Sequence, residues 1–173
     1  MAKKKTEYIH LFPDLNWQNA VTINWQPLER YDDFLGKDIE AQGKGFFYKI
    51  VAKRGDTYRL LYIGKAYKQW VTDRLGQHGE KILTLKDKHK NYSINVSMGN
   101  LDEISRKQIK EEYVNEVESL LIYSHSDTNN FPYLENKNNV YSHNVTRPYK
   151  ITNKGELADG MYKTIIWDMF TEK

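Results

Sequence analysis

Five side chains stand out by type and order: Tyr48, Tyr62, Arg74, His78 and Glu118. Two phenols, a guanidinium, an imidazole and a carboxylate are suited together to hydrolysis of a phosphodiester. That reaction needs an activated water, stabilisation of charge on the non-bridging oxygens, and help for the leaving group. Taken singly, each residue also has an ordinary structural explanation. Tyr48 and Tyr62 are two of 13 tyrosines, and a tyrosine is a common half-buried strand residue. A lone arginine is usually a surface or ion-paired group. The weight therefore rests on the elements that must bring the five together.

Gly45 to Val51 is rich in aromatic and β-branched residues and reads as a strand. Ala52 to Thr57, with Arg54-Gly55-Asp56, reads as a hairpin turn, and Tyr58 to Gly64 as the return strand. Strict alternation puts Phe46, Tyr48 and Ile50 on one face, and Leu60, Tyr62 and Gly64 on one face of the partner. Both tyrosines can then share a sheet face. Ala66 to Leu75 is expected to be a helix, with Trp70, Val71 and Arg74 within about a 100° sector and His78 continuing that line. Gly76 and Gly79 are expected to end it near His78. Asn91 to Met98 alternates and supplies a third strand.

Ser105 to Ser124 gives the clearest helical pattern, opened by Ser105 and Gln108 as a capping box. Ile109, Tyr113, Val114, Val117, Leu120 and Leu121 form its apolar stripe. Glu118 falls inside that stripe, about 40° from Val114 and about 60° from Leu121. A carboxylate there is costly unless it is paired or bound to a metal. Glu111, two turns earlier, is the rival candidate.

The remaining segments carry no such pattern. Lys3-Lys4-Lys5 reads as a frayed tail, Trp17 and Trp25 as packing anchors, and Leu28 to Leu35 as a short helix. Beyond Asn129 the chain is asparagine-rich to about Arg147, and ordered elements, strand or helix, follow at Lys150 to Thr152 and Met161 to Phe170.

Bulk properties narrow the function. The 173 residues, 39% hydrophobic and 28% charged, are enough for one globular domain with a core. The absence of cysteine excludes disulfides and thiolate zinc sites. His10, His78, His89, His125 and His143 show no His-x-x-x-His pairing, and no glycine-rich phosphate loop or Gly-x-Ser-x-Gly turn is present. No signal peptide or long apolar run is seen, so a cytoplasmic location is expected. Net charge is only +3, but Lys44 to Lys90 holds twelve Lys/Arg against four Asp/Glu, while Asn100 to Ser124 holds three against six. A basic half around the candidate site suits a polyanionic substrate.

In that order and in those elements, the residues resemble the GIY-YIG nuclease superfamily, which includes phage homing endonucleases, the incision subunit of bacterial excision repair, and some restriction enzymes. The resemblance spans residues 45 to 130. Phe46-Phe47-Tyr48 stands at the first motif, with Tyr48 as its tyrosine and phenylalanines where the family has glycine and isoleucine. Tyr62-Ile63-Gly64 matches the second motif unchanged. Arg74 matches the helix arginine, His78 the His or Tyr four residues later, and Glu118 the metal-binding glutamate. Asn130, or its neighbour Asn129, matches the late asparagine.

The resemblance implies an α+β fold: a small three-stranded sheet flanked by helices, at residues 45–130. An N-terminal extension (1–44) and a C-terminal segment (131–173) packed on the same domain would flank it. It implies a divalent-metal-dependent DNA endonuclease, with Glu118 holding Mg²⁺ or Mn²⁺ and Arg74 gripping the scissile phosphate. Tyr48 would act as general base or orient the water, the former requiring a lowered phenol pKa. Tyr62 and His78 would hydrogen-bond to Tyr48, the water or the phosphate, while Lys65 and Asn130 would bind substrate. A compact restriction-type enzyme is the first expectation, ahead of a repair or mobile-element nuclease. A homodimer or partner protein would supply target recognition. The alternative is a catalytically inactive nucleic-acid-binding module on the same scaffold, for which the altered first motif is the argument.

Overall fold

A computed structural model describes residues 19–36, 46–67, 69–101, 110–139, 145 and 147–167. Lys3-Lys4-Lys5, Trp17 and the Ser105/Gln108 capping box lie outside these described residues. In chain order the elements are β1 (Ala20–Trp25), β2 (Glu29–Arg30), α1 (Tyr31–Leu35), β3 (Phe46–Arg54), β4 (Thr57–Ala66), α2 (Val71–Gly76), α3 (Gly79–Lys88), β5 (Ser93–Leu101), α4 (Glu111–Ser124), β6 (Tyr149–Gly155) and β7 (Thr164–Trp167).

The α+β class is as expected, but the sheet is larger than three strands. Its order is β4-β3-β5-β1-β6-β7, with β2 also pairing β5. The expected hairpin and third strand form its β4-β3-β5 portion. The flanking segments contribute the remainder: β1 runs antiparallel to β5 and parallel to β6, which pairs antiparallel with β7. Val21, Ile23 and Trp25 of β1 are buried at every second position, and the pairing Ala20↔Lys150 joins the two ends of the chain. Alternation alone reveals neither that partner nor its register, since the closing contact is long-range.

Helices cover both faces. On one, Val114, Val117, Leu120 and Leu121 of α4 pack with Phe47, Val51, Leu60, Ile63 and the buried residues of β1 and β6. On the other, Phe34 of α1, Val71 and Leu75 of α2, and Ile82 and Leu85 of α3 pack over Tyr48, Ile50, Ala52 and Leu61. Helix α3 was not expected, because glycines at 76 and 79 read as breakers. Ile82 and Leu85 bury its inner face, and this tertiary contact outweighs the weak helix propensity of Gly79. Strand β4 also runs on to Ala66, so α2 starts at Val71 rather than Ala66. No described helix is long and apolar enough to cross a membrane.

The β3–β4 hairpin turns at Gly55, whose φ of +56° lies in the left-handed region that glycine enters without a Cβ penalty. Strict alternation along β4 is broken once. Ile50 pairs with Tyr62 and Val51 with Leu60, leaving Leu61 as a bulge. Leu60 therefore packs on the α4 side, while Leu61 and Tyr62 both pack on the side of Tyr48, a correction to the expected grouping of Leu60 with Tyr62.

Candidate active site

Tyr48 is the centre of the site. It lies on β3, opposite Gly64 of β4 and Met98 of β5, and is fully buried. Its ring occupies the space a side chain at 64 would take: a Cβ built on Gly64 would sit 2.5 Å from both the Tyr48 Cζ and its hydroxyl oxygen. Glycine at 64 is thus a steric requirement of this tyrosine's placement.

Around Tyr48 the other groups assemble from three directions. Tyr62 stacks on it, ring centroids 6.1 Å apart and planes 27° from parallel. From the turn between α2 and α3, His78 brings Nε2 to 3.1 Å from the Tyr48 hydroxyl, its ring 5.6 Å from that of Tyr62. The half-buried Arg74 of α2 hydrogen-bonds Gln77 through Nη1 at 2.9 Å, and its charge bears on Tyr48. Lys81 of α3 places Nζ 3.8 Å from the Tyr62 ring centroid, a cation–π contact on the same cluster.

Glu118 comes from the other side of the sheet and reaches the cluster at the β4 edge. Lys65 Nζ is 3.9 Å from its Oε2, and the charge of Lys65 bears on the carboxylate. The neighbouring edge groups are also covered. Asn136 Oδ1 accepts the Ile63 N–H at 3.0 Å, Asn136 Nδ2 donates to the Ile63 carbonyl at 2.8 Å, and the Glu135 N–H donates to the Leu61 carbonyl at 2.7 Å. The strand carrying Tyr62-Ile63-Gly64 is fixed on both sides.

Protonation follows from burial. Desolvation pushes the Tyr48 phenol well above its ordinary range, outweighing the opposite pull of Arg74. The lowered phenol pKa that a Tyr48 base requires is therefore not produced by this chain's own groups. Tyr62 is raised as well, by burial and then by the Glu118 charge. Burial, assisted by Arg74 and Lys81, lowers His78, so the imidazole is neutral at pH 7. Glu118 is raised by burial despite Lys65 and Arg74. Its side chain is 17% exposed and its lysine partner sits at the limit of ion-pair range, so the negative charge is under-compensated. Among the described residues no group of three or more His, Asp or Glu converges on a common point. Glu118 is the carboxylate of this cluster that would hold a divalent cation.

The structure thus brings together Tyr48, Tyr62, Arg74 and His78, with Glu118 and Lys65 at the adjoining edge. Asn130 is exposed in the turn after α4, where its side chain and its N–H bond Asp127. The Asn129 N–H bonds the Asp127 carboxylate in the same turn. The asparagine that touches the motif strand is Asn136. Glu111 is exposed at the start of α4. Phe47 is buried in the α4-side core, where it serves packing. Lys81 was not anticipated, because Gly76 and Gly79 read as ending the helix before it. No family model, curated protein or solved structure matches this chain.

Proposed function

We propose that this chain is a divalent-metal-dependent DNA endonuclease of the GIY-YIG type, acting at the cluster of Tyr48, Tyr62, Arg74, His78 and Glu118. The observation that carries this reading is the packing at Gly64. Only a residue without a side chain admits the Tyr48 ring, and that ring position sets its hydroxyl beside His78 and within the field of Arg74 and Glu118.

Each group has a role consistent with its environment. Arg74 grips the non-bridging oxygens of the scissile phosphate with its planar fork. Glu118 holds Mg²⁺ or Mn²⁺, which when bound supplies positive charge at the phosphate. Tyr48 remains a neutral phenol, donates its O–H to His78 Nε2 and accepts a hydrogen from the attacking water. As the water oxygen bonds to phosphorus, its proton passes to Tyr48 and the Tyr48 proton passes to His78. The bond to the departing oxygen breaks, and that oxygen takes a proton from solvent. In this relay the neutral imidazole is the base and Tyr48 the positioned carrier, which suits a buried phenol and a depressed histidine. Tyr62 packs the relay from one side, and Lys65 and Lys81 add positive potential. A compact restriction-type enzyme is the first biological assignment, a repair or mobile-element nuclease the second.

One observation favours a second reading, binding without cleavage: the Tyr48 phenol is buried and resists deprotonation. Nicking of supercoiled plasmid separates the two. Wild type should nick with Mg²⁺ or Mn²⁺ and stop on chelation, while Arg74→Ala and Glu118→Ala should each lose about 10²-fold or more. Full activity in Glu118→Ala, or none in wild type, would overturn the nuclease assignment.

A further inference from the structure

A second cluster lies on β4 towards the hairpin. The Arg59 guanidinium is held between two aromatic rings, 4.3 Å from the Tyr92 centroid and 4.2 Å from the Tyr133 centroid. His89 meets the edges of both rings, at 6.2 and 5.7 Å. Arg54, from the hairpin end, lies 6.0 Å from the Tyr92 centroid. Yet among the described residues neither Arg59 nor Arg54 has an ion-pair partner; the nearby Glu135 is taken by Lys88 at 2.6 Å. The guanidinium is pre-ordered while its charge remains uncompensated.

The β4 bulge gives this cluster its meaning. Arg59 and Tyr62 are three residues apart and would face opposite sides of a regular strand. With Leu61 extruded, Arg59 pairs with Ala52, on the same face as Tyr48 and Tyr62. Lys81 lies against Tyr62, with the exposed Lys137 adding to its positive surroundings.

We infer that Arg59, clamped by Tyr92 and Tyr133, is a phosphate anchor that holds the backbone of the DNA duplex on the face of Tyr48 and Tyr62. A phosphate is favoured over a stacked base because the guanidinium already lies over the two rings, while among the described residues no carboxylate pairs with its N–H edges. Tyr92 and Tyr133 are positioning residues: they fix the plane of the fork and so reduce the ordering needed on binding. The inference rests on the nuclease reading for what is bound, and its test separates the two.

The test measures binding of the full chain to a fluorescently labelled duplex in metal-free buffer by anisotropy, across a salt series. Arg59→Gln should raise Kd about tenfold and reduce the slope of log K against log salt by about 1. Arg59→Lys should keep the slope but recover only part of the affinity, because the charge stays and the planar fork goes. Thermal melting of each variant identifies loss of fold, and Arg59→Lys carries the test if Arg59→Gln does not fold. Wild-type Kd and salt slope in a folded Arg59→Gln, alongside loss of nicking in Arg74→Ala, would overturn the anchor and leave the nuclease standing. Weakened binding in Arg59→Gln with no nicking by wild type would support the anchor and sink the nuclease. No binding of duplex by wild type overturns both.

Discussion

Gly64→Ala is the substitution that most directly probes the site. The new methyl would lie 2.5 Å from two atoms of the Tyr48 ring system and 3.0 Å from a third, closer than carbon atoms tolerate. Tyr48 is fully buried, so the ring cannot swing into solvent, and either it or the β4 backbone must shift. Overpacking of this kind costs about 1–3 kcal/mol, and disturbing the Tyr48–His78 hydrogen bond adds about 1 kcal/mol. The sum, roughly 2–4 kcal/mol, corresponds to a fall in Tm of roughly 5–15 °C for a domain of this size. Displacement of the Tyr48 hydroxyl by about 1 Å should reduce nicking by about 10²-fold below the melting range. Gly99→Ala is the control. Its Cβ would also be crowded, 2.7 Å from Ile23 and 2.9 Å from Trp25, but these residues belong to the α4-side core and not to the Tyr48 cluster. Gly99→Ala should lose stability of similar size and retain most of its activity. Thermal melts and plasmid nicking on both variants, at a temperature where both are folded, decide the matter. Equal activity losses in the two, or an unperturbed Gly64→Ala, would refute the steric argument.

Three further outcomes follow from buried charges. Because burial raises Glu118, its ionised form opposes folding of the metal-free chain at neutral pH; Glu118→Gln should raise the metal-free Tm by a few degrees, checked by calorimetry, while abolishing nicking. His78 is lowered from 6.5, so the acid limb of the nicking rate should fall below pH 6.5 with activity level through pH 7; an acid limb above pH 7 would contradict a neutral imidazole base. Lys49 is fully buried, with Nζ 2.6 Å from the Glu156 carbonyl, 3.1 Å from Ser97 Oγ and 4.1 Å from the Trp25 ring centroid. Burial brings it down to about 7 from 10.5, so the unfolded chain binds the extra proton between those values and stability should climb as pH rises from 7 towards 10. The gain should be on the order of a few kcal/mol by denaturant titration, and Lys49→Met should flatten it.

Much of the site was written in local pattern. The strand character around Tyr48 and Tyr62, the turn at Gly55, the third strand and the apolar stripe of α4 were legible because each depends on residues within about ten positions of one another. Placing Glu118 within that stripe marked it as a carboxylate in need of a partner. The sharing of one sheet face by the two tyrosines was also expected, but its detail was not: a bulge at Leu61 resets the alternation, and nothing in Leu60-Leu61-Tyr62 announces which leucine is extruded. Helix α3, and Lys81 with it, were hidden behind two glycines whose low helix propensity is overridden by burial of Ile82 and Leu85.

What the sequence determined by itself was a set of chemical groups and the short elements that carry them. Tertiary structure decided where those elements meet. Strand β1 finds β6 from the opposite end of the chain, Asn136 rather than Asn130 seals the β4 edge, and Glu118 approaches the phenols from across the sheet. Local pattern records the period of an element, whereas partner, register and edge are fixed by which long-range contacts bury the most apolar surface while leaving no backbone group unpaired.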